Sequence, residues 1–298
     1  EQHRFGVNQR KLFAMKGERP HKLVMSATPI PRTLGLIMYG DLDISIINEM
    51  PKGRIPVETH AVTGKLRHRA LEFVKKELDS GRQGYIVCPK IEDNGNDDSE
   101  IQSAVEYMEK ITAGELAGYS VGLLHGKMPS EEKDRIMTEF KEGRLQLLVS
   151  TTVIEVGVDV PNATVIMIES ADRFGLSQLH QLRGRVGRGR CKSYCVLLTD
   201  NASEETRERL RTIASTNDGF EVAEADLKLR GAGDFFGSRQ SGMGSLKIAD
   251  LNKFRELPAE TNAAVSKLMA KSSDLSAYPG LRSRAEELLR ENGSEGMN

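Results

Sequence analysis

Five short apolar runs recur between about residues 57 and 199, and polar stretches with helical periodicity separate them. The runs lie at 84–88, 120–124, 145–149, 164–168 and 194–198. Compact runs that are almost continuously apolar are typical of parallel strands covered on both faces. Because strands alternate with helices, the pattern predicts an α/β domain with a parallel sheet.

Three amphipathic stretches between these runs are predicted to be helices. They lie at 65–79, 99–113 and 130–142. In the third, Ser130 is expected to be the N-cap, and Glu131 and Glu132 lie in the first turn, where the helix dipole favours acids. Gly143 is expected to end this helix. Its predicted inward face consists of Ile136, Met137 and Phe140.

The pattern changes at both ends of this region. Before it, 22–27 is expected to be a short buried strand and 32–40 a short helix, and prolines and glycines at 51–56 indicate a linker. After residue 200, helices are predicted at 202–215 and 220–230. A glycine-rich loop follows at 231–244, and a less apolar helical tail runs to 298.

Composition limits the possible classes of protein. The length of 298 residues suits about two domains, and 42 Lys plus Arg nearly balance 43 Asp plus Glu. Overall charge therefore does not indicate a nucleic-acid partner, and such binding would need local patches. No apolar run reaches the roughly 18–20 residues that span a bilayer, so no membrane association is expected. Cys88, Cys191 and Cys195 are expected to be reduced thiols of a cytoplasmic protein, without a zinc site.

Polar, glycine-rich sequences follow the predicted strands, at the edge of a parallel sheet where ligands bind. The strongest chemical signal is the segment 178–190, in which four arginines lie between 183 and 190. Arginine presents a planar set of donors that matches phosphate oxygens, and glycine lets a backbone approach a polyanion closely. A solvated basic loop or a structural arginine cluster is the alternative interpretation.

Several segments resemble motifs of superfamily 2 helicases, in the same order. QLRGRVGR (181–188) resembles the sixth motif, STTVIEVGVDVPNA (150–163) the fifth and SATPIPRTL (26–34) the third. EQHRFGV (1–7) resembles the tail of a DExH box without its leading Asp, and 124–143 resembles a block of the second motor lobe. These resemblances extend over about 190 residues of the chain.

The segment LRGAGDFFGSRQSG (229–242) resembles two families of bacterial duplex-DNA translocases, RecG and the transcription-repair coupling factors. Residues 1–7 and 39–54 are closer to the RecG family, and the coupling factor is the alternative. The resemblance implies an ATP-dependent DNA helicase that remodels stalled forks and Holliday junctions. It also implies ATP and Mg²⁺ as cofactors, branched double-stranded DNA as partner, and a monomeric motor.

The same resemblance implies four parts. Residues 1–53 would be the C-terminal remnant of a first RecA-like lobe and 54–200 the second RecA-like lobe. Residues 201–245 would form a helical hairpin with a translocation loop, and 246–298 a helical tail.

The resemblance also assigns residues to ATP chemistry. Arg185 and Arg188 match arginine fingers, Gln181 a γ-phosphate reader and Glu1 the acid that orients or activates the attacking water. The residues expected to couple the nucleotide site to the rest of the motor are His3, Ser26, Thr28, Gly157 and Asp159. A capped turn is the alternative role for Asp159.

A second set matches positions that contact DNA or drive translocation. Thr151, Thr152 and Glu155 lie in the fifth motif, and Arg230, Arg239 and Gln240 lie in or beside the hairpin loop. A surface turn without function is the alternative for this loop. His125 is expected to be structural.

No P-loop of the form G-x-x-x-x-G-K-[S/T] occurs in the sequence. We therefore expect the chain alone to hydrolyse ATP only at background rate, and residues 1–50 to be loosely attached. Two further alternatives are a DNA-binding lobe without catalysis and a helicase lobe reused for protein docking. The intact finger arginines and hairpin loop argue against the second of these.

Overall fold

The structure is a computed structural model. It describes residues 9, 12–13, 16, 21, 23–26, 45–47, 49–51, 53–89, 98–151, 159–230 and 257–291. The chain divides into two compact units. One is formed by 48–222, and the other by 1–47 together with 223–298.

Six parallel strands form one sheet in the first unit. They are β1 (Glu58–Thr63), β2 (Gln83–Val87), β3 (Val121–Leu124), β4 (Leu147–Ser150), β5 (Ala163–Ile168) and β6 (Tyr194–Thr199). Their order in the sheet is β1-β6-β5-β2-β4-β3. All neighbouring strands are parallel, so every strand ends at the same edge, which we call the carboxyl edge. The predicted α/β fold with a parallel sheet is confirmed.

Eight helices are described. They are α1 (Arg67–Asp79), α2 (Asp98–Ala113), α3 (Ser130–Lys141), α4 (Leu176–Arg183), α5 (Glu204–Ser215), α6 (Gly219–Arg230), α7 (Leu257–Lys271) and α8 (Pro279–Glu291). Short 3-10 turns occupy Gly64–Leu66 and Ala171–Arg173. Among these described helices, none combines the length and the apolar character needed to cross a bilayer.

Five strands were predicted and lie within about two residues of the expected positions, but β1 was not predicted. Among the described residues it is an edge strand that pairs only with β6, and most of its side chains are exposed. Its sequence ETHAVT therefore lacks the compact apolar run that marks the four inner strands and β3.

Two local predictions are wrong. Pro129 occupies the N-cap position of α3 and Ser130 is its first helical residue, without a side-chain cap. The proline, whose extended backbone precedes the helix, displaces the start by one residue. Residues 23–26 are exposed and do not form a strand. Gly143 follows the C-cap residue Glu142 with a φ of 78° and ends the helix as predicted.

Helix α1 buries its apolar side against one face of the sheet. Leu71, Val74 and Leu78 pack there with strand residues such as Ile86 and Met167. On the other face, Tyr85 of β2 packs against Phe140 of α3, with ring centroids 5.0 Å apart. Burying each such side chain contributes roughly 1.5–3 kcal/mol, so the two-sided core fixes the strands that end at the carboxyl edge.

The described part of the second unit includes α6 from Ala223 onward, and α7 and α8 with a turn between them. Asp274 accepts hydrogen bonds there from the backbone N of Ser276 (3.0 Å) and from Ser272 Oγ (3.2 Å). Near the chain start, Leu23 and Ile47 are exposed. The loose attachment of residues 1–50 stays a prediction. The expected helix at 32–40 and loop at 231–244 lie outside the described residues.

Candidate functional site

Helix α4 carries the start of the arginine-rich segment. Leu176, Leu179 and Leu182 are buried and fix the helix against the domain. Gln178 Oε1 accepts a hydrogen bond from the backbone N of Gly175 (3.1 Å) at the start of the helix. Gln181 is half-buried on the same helix. The buried helix therefore fixes the position at which residues 184–190 begin.

Two glycines in this segment are required by packing within the protein. Gly187 has a φ of 74°, and a Cβ there would lie 2.6 Å from Val57 Cγ2. A Cβ on Gly189 would lie 2.4 Å from the carbonyl oxygen of Pro161. Arg54 Nε also donates to the carbonyl oxygen of Gly187 (3.1 Å). Close approach within the fold thus accounts for these glycines, where the sequence suggested close approach to a polyanion.

The four arginines do not form one surface, so the sequence-based interpretation of a single phosphate-binding cluster needs correction. Arg183 is buried, with 3% exposure. Its Nη1 donates to the carbonyl oxygens of Ile213 (2.6 Å) and Thr216 (2.7 Å), and its Nη2 lies 2.9 Å from His180 Nδ1. Arg183 therefore satisfies carbonyl groups at the end of α5 and is structural.

His180 is a neutral acceptor in this contact. Arginine has only donors, so His180 Nδ1 accepts and the ring proton lies on Nε2. Burial, helped by the charge of Arg183, lowers the pKa of His180 to about 4.

The two proposed finger arginines lie further out. Arg188 Nε donates to the carbonyl oxygen of Gly184 (3.0 Å), and its Nη1 lies 3.5 Å from Asp159 Oδ1. The side chain of Arg188 is 29% exposed and that of Asp159 is 61% exposed. Arg185 is half-buried, and Arg190 is exposed.

Arg185 and Arg188 both act electrostatically on Tyr85, in the middle of β2. Burial raises the pKa of Tyr85 to about 12, and the charges of Arg188 and Arg185 oppose this rise. The structure thus brings both arginines and Asp159 to one region of the first unit. An exposed ion pair of this kind is worth about 0–1 kcal/mol, so Arg188 can leave Asp159 at little cost.

At the carboxyl edge, Thr151 directly follows β4. It is 4% exposed, and its backbone N donates to the carbonyl oxygen of Leu124 (3.2 Å). This N–H is therefore already used within the fold. Nearby, His125 Nδ1 is buried and finds no hydrogen-bond partner among the described residues, and burial lowers the pKa of this histidine.

The structure also places at this edge a buried acid that no sequence motif indicated. Glu169 follows β5, and its side chain is 7% exposed. Arg67 donates to its carboxylate from Nε (3.1 Å) and Nη2 (3.0 Å), and Tyr107 donates from its hydroxyl (2.8 Å). Hydrogen bonding to Glu169 raises the pKa of Arg67, and burial raises that of Tyr107. The only sequence signal was the position of Glu169 directly after an apolar run.

Several predicted site residues are not placed by the structure. Glu1, His3, Thr28, Thr152, Glu155, Gly157, Arg239 and Gln240 lie outside the described residues. Ser26 is exposed in the second unit, and Arg230 ends α6 with its side chain undescribed. Within the described ranges, no three His, Cys, Asp or Glu side chains form a group that could bind a metal ion.

Comparisons with known proteins identify the family to which this chain belongs. The helicase conserved C-terminal domain profile matches residues 67–190. A second profile, ATP-dependent DNA helicase RecG, domain 3, C-terminal, matches 216–276. The ATP-dependent DNA helicase RecG of Bacillus subtilis is 54% identical over 251 residues, which are 84% of this chain and 36% of that protein. The chain belongs to the RecG family.

Two further comparisons agree with this assignment. RecG of Synechocystis sp. is 47% identical over 293 residues, which are 97% of this chain and 35% of that protein. A solved structure of RecG bound to a three-way DNA junction is 47% identical with a TM-score of 0.66, covering 87% of this chain and 32% of that one. The chain thus spans about a third of the length of its RecG relatives. The prediction of RecG over the coupling factor is confirmed.

Proposed function

We propose that this chain contributes the second motor lobe and the following helices to an ATP-dependent DNA helicase that remodels branched double-stranded DNA. The supporting observation is the likeness to RecG bound to a three-way DNA junction, which extends over 87% of the chain. Stalled forks and Holliday junctions are the proposed substrates, and a monomeric, cytoplasmic enzyme is the proposed form. The motor lobe would correspond to residues 54–200, after the remnant at 1–53. The hairpin with its loop would correspond to 201–245, and the tail to 246–298.

The proposed role in ATP hydrolysis rests on Arg185 and Arg188. Phosphoryl transfer depends on positioned positive charge, and a guanidinium group suits the charge that develops on the γ-phosphate. Arg188 would exchange its contact with Asp159 for the phosphate, and Gln181 would help to read the phosphate. Because the sequence has no P-loop, the β- and γ-phosphates and Mg²⁺ would be bound mainly by residues outside these 298.

Further residues would complete this nucleotide site. Glu1 would orient or activate the attacking water. Coupling to the rest of the motor would involve His3, Ser26, Thr28, Gly157 and Asp159.

The proposed DNA contacts follow β4 and α6. Thr151 and Thr152 would bind phosphates with Glu155 beside them, and such contacts position a protein without reading sequence. The backbone N–H of Thr151 is occupied, so its contribution would come from the hydroxyl group. Arg230, Arg239 and Gln240 would transmit motion to the duplex.

A chimera tests the proposal. The chain replaces the matching region of Synechocystis RecG, and ATP hydrolysis and unwinding of a three-way junction are measured. We expect both activities in the chimera, and junction binding without ATP hydrolysis for the chain alone. A chimera that binds junctions as tightly as the parent but neither hydrolyses ATP nor unwinds DNA would favour a DNA-binding lobe without catalysis.

Two matched substitutions in the chimera test the finger. Arg188→Lys keeps the charge but loses the planar set of donors, so ATP turnover is expected to fall roughly 10³-fold or more. Arg190→Lys makes the same chemical change two residues away on an exposed side chain and should leave turnover within about twofold. Equal effects of the two substitutions would contradict the role of Arg188.

A further inference from the structure

A group of three side chains at the carboxyl edge has no part in the proposed chemistry. It consists of Glu169, Arg67 and Tyr107, which we call the Glu169 network. Glu169 Oε1 accepts from Tyr107 Oη (2.8 Å) and Arg67 Nε (3.1 Å), and Oε2 accepts from Arg67 Nη2 (3.0 Å). The carboxylate is therefore bound by both helices that cover one face of the sheet, α1 and α2.

The residue after Glu169 has an unusual backbone. Ser170 has φ 46° and ψ 52°, the left-handed region that residues other than glycine seldom adopt. Such a conformation costs about 1–3 kcal/mol, and it persists only where surrounding contacts impose it. The Glu169 network supplies such contacts on the strand side.

The strained residue begins the segment that leads to the arginines. The carbonyl oxygen of Ser170 accepts from the backbone N of Arg173 (2.9 Å), which closes the 3-10 turn Ala171–Arg173. Helix α4 starts three residues later and leads directly into Arg185 and Arg188. The direction in which the chain leaves β5 thus sets the starting point of α4.

The far side of this turn is fixed as well. Thr199 Oγ1 donates to Asp172 Oδ1 (2.5 Å), and Arg209 Nη2 donates to the carbonyl oxygen of Phe174 (2.6 Å). Contacts on both sides leave the turn little freedom. A finger must lie within about 0.5 Å of its productive position, so this restraint matters for catalysis.

We infer that Glu169 is a positioning residue for the arginine segment, acting with Arg67 and Tyr107 through the left-handed backbone of Ser170. It touches neither nucleotide nor DNA in this role. The inference rests on the proposed function, because the arginines it positions are the proposed fingers. Loss of the network should lower turnover without weakening the binding of ATP.

The test uses a pair of hydroxyl deletions, one of which acts near each end of β5. Tyr107→Phe removes the hydroxyl that binds Glu169 at the carboxyl end of β5. Thr164→Val removes the hydroxyl that donates to Glu77 Oε2 (2.7 Å) near the start of β5, and Glu77 lies on α1 as Arg67 does. Each deletes one hydrogen bond between a hydroxyl and a carboxylate, so both should lower stability comparably.

The first measurement uses the chain itself and needs no ATP. Hydrogen exchange of the Arg173 and Phe174 amides should become about tenfold faster in Tyr107→Phe, because the turn opens more readily. Thr164→Val should leave these rates unchanged. Equal acceleration by both variants, or none by Tyr107→Phe, would overturn the inference whether or not the proposed function is correct.

The second measurement is ATP hydrolysis by the chimera. Tyr107→Phe should lower kcat about tenfold with KM for ATP unchanged, and Thr164→Val should change neither. Ser170→Gly removes the backbone strain, so it should raise or preserve Tm while still lowering kcat, an outcome that a purely stabilising network would not produce. Unchanged kcat in Ser170→Gly would sink the inference. An inactive unsubstituted chimera would instead count against the proposed function, and the exchange rates would still decide whether the network holds the turn.

Discussion

Arg67 binds the carboxylate of Glu169 through two guanidinium nitrogens, at 3.0 to 3.2 Å. The side chain of Glu169 is only 7% exposed, whereas that of Arg67 is 37% exposed. Arg67→Met would leave a buried carboxylate without its cation. Such a loss costs about 3–5 kcal/mol in a fully buried pair, and solvent near Arg67 reduces our expectation to about 2–3 kcal/mol.

Urea unfolding of three variants measures this effect. The double variant Arg67→Met/Glu169→Gln removes both charges and should recover part of the loss. Arg135→Met breaks the exposed pair with Glu139 and should cost less than about 1 kcal/mol. If Arg67→Met lowers the free energy of unfolding no more than Arg135→Met does, then Arg67 does not stabilise the buried carboxylate of Glu169.

A second prediction concerns acid sensitivity. The pKa of His180 is about 4 in the folded chain and about 6.5 when unfolded. In the unfolded chain, His180 takes up a proton at a higher pH than in the folded chain. This group therefore leaves the free energy of unfolding unchanged above about pH 6.5 and lowers it as the pH falls towards 4. At pH 5 the loss from this group should be about 2 kcal/mol.

Unfolding free energies at pH 7.5 and pH 5 check this dependence. In His180→Asn the amide oxygen can still accept from Arg183, but the side chain does not titrate. The difference between the two pH values should therefore be smaller in this variant by about 2 kcal/mol. An unchanged difference would mean that His180 is not the titrating group.

Two glycines with almost the same φ allow the cost of backbone strain to be distinguished from the cost of a steric clash. Gly187 and Gly81 have φ values of 74° and 73°, but only at Gly187 would a Cβ meet another residue, Val57. Gly81→Ala should cost about 1–2 kcal/mol, for the left-handed backbone alone. Gly187→Ala should cost at least about 1 kcal/mol more, since overpacking adds to the strain. Thermal unfolding measures both, and equal losses would rule out the collision.

The three cysteines should differ in reactivity. Burial raises the pKa of Cys88 and of Cys195 to about 12, whereas Cys191 is half-exposed. The thiolate is the reactive form, so a thiol reagent at pH 8 should modify Cys191 at least about tenfold faster. Mass spectrometry of the labelled peptides identifies the site. Rapid labelling of Cys88 in the folded chain would contradict its burial.

The sequence predicted the inner strands well because burial on both faces leaves an unbroken apolar run. It missed β1 because a half-exposed edge strand has no such run. It misplaced the start of α3 because Ser130 is a common capping residue, whereas the proline before it takes the cap position. The preference for serine at the N-cap is general, but here the adjacent Pro129 occupies that position.

The candidate site was predictable only in part, for a physical reason. The spacing of Arg185 and Arg188 follows a family motif, so the sequence alone was enough to predict them as fingers, and their role stays a prediction. The burial of Arg183 depends on carbonyl groups of Ile213 and Thr216, about 30 residues away, and main-chain acceptors leave no mark in a sequence. Likewise, Glu169 meets partners that come from α1 and α2, which only the folded sheet brings together.

The unpredicted strand β1 determines where this lobe can be truncated. The helicase-domain match begins at Arg67, which suggests a convenient place to trim. A shortened version starting there would lack the strand that covers β6 and would leave its backbone groups open to pairing with other molecules. It would also lack Arg54, the donor to Gly187 in the arginine loop. The smallest self-sufficient version of this lobe should therefore retain the residues from Arg54 onward.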